Sequence, residues 1–74
     1  MKMYTVSVTD YKGNTETQAF FKMKVAYSSF KSIVERGQLP WRNCITREGD
    51  SLLIAETCSS EWLVELYEHT LINE

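Results

Sequence analysis

Seventy-four residues make one domain, 1–74, and leave no room for a deep substrate cleft beside a core, because so short a chain buries only about 60% of its extended surface. The 43% hydrophobic content, with four Tyr, three Phe and two Trp, argues against disorder, and no apolar run exceeds Leu52–Ala55, too short for a membrane span or a signal-peptide core. The net charge of −2 conceals a division: residues 1–47 hold all eight Lys and Arg and balance at +5, while residues 48–74 hold no Lys or Arg and balance at −7.

Tyr4, Val6 and Val8 alternate with Thr5, Ser7 and Thr9, the pattern of a half-buried strand. Asp10-Tyr11-Lys12-Gly13-Asn14 is turn chemistry. A second alternation puts Phe21, Met23 and Val25 on one face and Phe20, Lys22 and Lys24 on the other, predicting an antiparallel hairpin with the first run. Ser28 to Arg36 reads as a helix through Tyr27, Phe30, Ile33 and Val34, with Gly37 placed to end it. Pro40 excludes helix at the connection that follows. Trp41–Arg47 reads as extended, and Ser51–Thr57, after a tight loop at Glu48-Gly49-Asp50, suits a strand buried on both sides, although periodicity alone fits a helix there as well.

Cys44 and Cys58 fall on those last two segments. Partners across such a hairpin have numbers summing to about 98, so the cysteines are offset by several residues at about 3.3 Å each, beyond the roughly 7 Å Cα separation of a disulfide. Both are expected reduced, in keeping with a cytoplasmic location.

Ser59 to Ile72, SSEWLVELYEHTLI, has the period of an amphipathic helix at about 100° per residue. Trp62, Leu63, Leu66, Tyr67 and Leu71 fill an apolar arc. Glu61, Glu65, Glu68 and His69 fill the opposite one, with no cation to relieve the i,i+3 and i,i+4 repulsion. Such an arc is either a solvated face or a docking face for a basic partner. The expected fold is therefore α+β, in ββαββα order: a two-layer arrangement with one four-stranded antiparallel sheet and two helices on one face.

Nothing in the sequence supplies a catalytic or cofactor motif. His69 is the lone histidine, on the exposed arc, with no nucleophile placed beside it. Cys44, Cys58 and His69 match no compact zinc spacing, and Gly13, Gly37 and Gly49 are scattered where a phosphate cradle would cluster them. The chain is read as a non-enzyme without cofactor, metal or membrane partner.

Three functions remain. The first is a protein-binding module that presents Glu61, Glu65, Glu68 and His69 to a basic partner surface, such as the positive groove of a nucleic-acid-handling protein. The second is a single-stranded RNA- or DNA-binding domain using Phe20, Lys22 and Lys24, an aromatic interleaved with cations, although that face also fits the solvent side of a two-layer fold. The third is a self-associating structural protein whose basic half meets the acidic half of another copy. In size and acidity, though in no motif, the chain resembles the small inhibitors and accessory factors of phages and other mobile elements, anti-CRISPR proteins and antitoxins among them. That resemblance implies an inhibitor and favours the first reading.

Overall fold

The computed structural model describes residues 1–70. Two hairpins and a helix form locally, and the last strand joins them. The hairpins are β1 (Lys2–Thr9) with β2 (Thr15–Phe20), and β3 (Trp41–Glu48) with β4 (Ser51–Thr57). The helix α1 is Met23–Arg36, and the closing strand β5 is Leu63–Thr70. The order is thus ββαβββ, a five-stranded antiparallel sheet arranged β2-β1-β5-β4-β3 with α1 on one face.

The expectation of four strands and two helices is corrected at the C-terminal segment. Glu61–Thr70 contains no helix: it is loop and then strand, and Leu71 and Ile72 lie outside the described residues. Leu63, Leu66 and Tyr67 have helical spacing, but Val64 and Leu66 also alternate with Glu65 and Tyr67. In the fold β5 is the central strand, paired with β1 on one side and β4 on the other. Two ladders and the complete burial of Val64 and Leu66 outweigh the modest helix preference of Leu and Glu.

A second correction lies at the first connection. The alternation over residues 20–25 is not a strand beyond its first residue. β2 ends at Phe20 and α1 has begun by Met23. The helix start carries no signal of its own, because Lys22 stands at the N-cap without a side-chain cap bond and the first turn has no acidic residue. At the other end the Leu39 N–H bonds the Val34 carbonyl at 2.8 Å and the Gln38 N–H bonds that of Glu35 at 3.2 Å, the Schellman arrangement. Gln38, with φ of 53°, takes the left-handed position expected of Gly37.

The hairpin turns follow their residues. Asp10 accepts the N–H groups of Lys12 and Asn14, each at 2.9 Å, and those bonds hold its carboxyl below the ordinary range, the Asn14 N–H contributing most. Glu48 pairs with Ser51, leaving a two-residue loop in which Gly49 supplies φ of 63°. The β3–β4 register sums to 98 from Trp41 to Asn43, as expected. It then shifts where Cys44 and Ile45 together oppose Ile54.

The core lies between α1 and the sheet. Phe30, Ala26 and Val34 from the helix meet Val6, Ala55, Val64 and Leu66 from β1, β4 and β5. Trp41 packs edge-on against Phe30 at 5.3 Å and against Tyr27 at 6.1 Å. Each fully buried Leu, Val or Phe contributes about 1.5–3 kcal/mol. No helix among the described residues is long and apolar enough to cross a membrane.

Candidate functional site

One face of the sheet carries α1; the other is open. Strand alternation and register decide what the open face displays. Across the strands, one row runs Arg42–Glu56–Glu65–Ser7–Thr17, and another contains Glu48–Ser51–His69–Met3. Tyr67 lies between them, opposite Leu53 and Thr5.

Tyr67 is the centre of this face. Its hydroxyl lies 2.8 Å from Oε2 of Glu48 and 3.0 Å from Oε2 of Glu65. A phenol has one proton and donates to one acceptor at a time, so two carboxylates compete for it. Burial first, and then the two carboxylates, push the Tyr67 phenol well above its ordinary value and keep it protonated. Glu56, beside Glu65 across β4 and β5, is held by Arg42 at 2.7 Å. Among the described residues neither Glu48 nor Glu65 has an ion-pair partner.

His69 is pinned on the same face. Its Nε2 is 2.8 Å from the Thr5 hydroxyl, its Nδ1 is 2.7 Å from that of Ser51, and its ring stacks on Tyr67 at 5.9 Å. The Ser51–His69 contact alone is what a nucleophile and base would make, but the second nitrogen is held by a hydroxyl where a triad has a carboxylate. A depression of about 470 Å³ lies over these groups, bounded by Thr17 on one side and Glu48 on the other. Its lining of five hydroxyls, the Glu48 carboxylate and the His69 ring suits a cationic donor.

The structure separates the acidic residues expected to act together. Glu65 and His69 share the open face. Glu68 is on the helix side, paired with Lys2 at 3.5 Å, and Glu61 is exposed in the loop before β5. The outward ridge of Glu61, Glu65, Glu68 and His69 therefore does not exist, because in a strand odd and even positions point oppositely. Glu48, Tyr67, Ser51 and Thr5 take places that the helical reading did not assign. Reading residues 63–69 at period two, with Leu66 inward and Glu65, Tyr67 and His69 outward, finds Tyr67 of these four; the other three lie on other strands.

Phe20, Lys22 and Lys24 do not form a strand face either. Phe20 is half-buried against the core, Lys22 is the N-cap of α1 and Lys24 is in its first turn. The exposed aromatic there is Phe21, at 74%. Cys44 and Cys58 are both free thiols. Burial chiefly, then Glu56, pushes the Cys44 thiol up. Among the described residues no group of three or more His, Cys, Asp and Glu is placed to hold a metal ion.

Compared with protein-family models, curated proteins and solved structures, the chain matches none of them.

Proposed function

We propose that this chain is a non-enzymatic protein-binding module whose open sheet face receives a basic surface. The class of partner is a nucleic-acid-handling protein, whose positive groove the acidic face occupies in place of phosphate. The excess of acceptors at Tyr67 carries this reading. Glu48 and Glu65 share one phenol proton and, among the described residues, have no cation of their own. A lysine ammonium or arginine guanidinium from a partner donates to the oxygens left over, in a charge-assisted bond of the strong kind. The docking residues are Glu48, Glu65 and Tyr67 with His69 beside them; Glu61 and Glu68 are not among them. The likeness in size and acidity to anti-CRISPR proteins and antitoxins supports the class of inhibitor or accessory factor and nothing finer.

The test is affinity capture with three baits: the parent, Glu48→Lys/Glu65→Lys, and Lys24→Glu/Lys31→Glu as a control on the helix side. A basic protein held by the parent and the control, released by salt and lost from the first variant, is the expected outcome. Equal retention by Glu48→Lys/Glu65→Lys, with the variant folded by circular dichroism, removes the acidic face from consideration.

A second reading has one observation of its own. Phe21 is exposed beside Lys22 and Lys24, and Lys31 lies two turns after Lys24 on the same side of α1. An exposed aromatic beside cations is how single-stranded nucleic acid is held. Salt-dependent oligonucleotide binding that Phe21→Ala and Lys22→Glu/Lys24→Glu both abolish would favour it.

A further inference from the structure

The two edges of the sheet are built differently. β3 is interrupted where Cys44 and Ile45 oppose Ile54, and it carries Arg42 and Arg47. A bulge and charged side chains keep an edge strand from pairing with another chain. β2 has neither protection. Thr15 to Phe20 pair residue for residue with β1, every position from Thr15 to Ala19 is exposed, and Glu16 is the strand's single charge.

Which backbone groups of β2 are free follows from its ladder. The Asp10 N–H bonds the Asn14 carbonyl at 3.0 Å, which makes Asp10–Asn14 a hydrogen-bonded pair in the register that continues along the strands. Antiparallel pairs alternate, so Thr9–Thr15, Ser7–Thr17 and Thr5–Ala19 are the non-bonded pairs. The Thr9–Thr15 and Ser7–Thr17 hydroxyls, each 3.0 Å apart, show the closer approach of that class. The N–H and C=O groups of Thr15, Thr17 and Ala19 therefore point away from β1, into solvent.

We propose that β2 pairs antiparallel with β2 of a second copy of this chain, about a twofold axis at Thr17, merging two sheets into one. In that register Thr17 meets Thr17 and Thr15 meets Ala19, so every outward backbone group of the three residues is satisfied. Glu16 stands opposite Gln18 of the second copy, carboxylate against amide. An axis at Glu16 would oppose two carboxylates and leave Ala19 unpaired, and an axis at Gln18 would leave Thr15 beyond the partner strand. The short run Thr-Glu-Thr-Gln-Ala is thus matched to itself in one register, which is why the occupant is a second copy and not an arbitrary extended peptide. Small side chains on the open side of the strand (Thr15, Thr17 and Ala19) leave the approach clear. The twofold axis is normal to the sheet, so both helices lie on one side and both acidic faces on the other. This interface uses a different strand from the acidic site, and either can fail without the other.

The experiment is sedimentation equilibrium of the full chain over a concentration series in high salt, which dissolves a merely electrostatic pairing of basic and acidic surfaces. The expected mass rises from 8.6 kDa towards twice that value. With the salt then lowered to about 0.1 M, where charge pairs in the seam are only partly screened, Gln18→Lys, placed against Glu16 twice per dimer, tightens association roughly tenfold, and Gln18→Glu loosens it by a similar factor. Thr17→Pro removes an outward N–H and the exposed Ser7–Thr17 hydroxyl contact but no backbone bond to β1, so the β1–β2 ladder stays intact while the dimer is lost. A mass of 8.6 kDa at every concentration up to about 1 mM overturns the proposal. So does a dimer of equal strength in Gln18→Lys and Gln18→Glu, which decides the matter even if Thr17→Pro fails to fold.

Discussion

The side-chain oxygen of Thr57 accepts the backbone N–H of Val64 at 3.0 Å, and its hydroxyl donates to the Trp62 carbonyl, also at 3.0 Å. Thr57 is 5% exposed and ties the end of β4 to the entry of β5. Thr57→Val keeps the shape and strands both main-chain partners in a buried place. The expected cost is about 1–3 kcal/mol, seen as a lower urea midpoint at unchanged slope. Thr57→Ser should recover most of it; equal losses in both variants would mean that the methyl group matters and the hydroxyl does not.

Leu66 and Trp62 are expected to part company. On a helix they would share one core face, but in the strand Leu66 is fully buried while Trp62, in the preceding loop, is 41% exposed. Leu66→Ala should cost about 2–5 kcal/mol, and Trp62→Ala about 1 kcal/mol. Thermal melts of the two variants check the contrast, and equal shifts would contradict the burial of β5.

Gln38 holds a left-handed conformation, φ 53°, at an exposed position where, among the described residues, no side-chain bond compensates it. Gln38→Gly should therefore stabilise the protein by about 1 kcal/mol, the left-handed penalty exceeding the added freedom of glycine in the unfolded chain. Gln38→Val should destabilise it. Denaturant titration of the pair gives opposite signs if the Schellman turn is as described.

Alkali should act through Tyr67. Its phenol ionises above the ordinary value of 10.0 in the folded protein, so the folded state holds the proton more tightly than the unfolded one. The associated stability is fully present below about pH 10 and is lost as pH rises towards the folded value. Ultraviolet titration of tyrosinate should show one late-ionising phase, and Tyr67→Phe should remove it. Glu48→Gln/Glu65→Gln should bring that phase earlier. A late phase unmoved by the double variant would place its cause in burial alone.

The parts of the fold legible in the sequence are those whose signals are local. Tyr4, Val6 and Val8 announce β1, Glu48-Gly49-Asp50 announces the second hairpin nearly in register, and Phe30, Ile33 and Val34 announce α1. β2 was hidden because an edge strand with one open side needs little apolar content, and Thr15–Ala19 has only one alanine. The misplaced alternation at residues 20–25 was the accident of Phe20 ending a strand just before Met23 opens an uncapped helix. β5 was misread because its spacing satisfies two periods at once, and the choice between them is made by strands distant in sequence. The same distance explains the site: Glu48 and Glu65 reach one hydroxyl only when β4 lies between β3 and β5.

The position of β5 also decides when the molecule can fold. The first strand finds its inner neighbour in the last one, with Lys2 opposite Thr70 and Thr9 opposite Leu63. Until residues near Thr70 have left the ribosome, the nascent chain holds two separate hairpins, neither of which is stable alone in water. The protein is therefore expected to complete its structure only once β5 is free to enter between β1 and β4, in a single late closure.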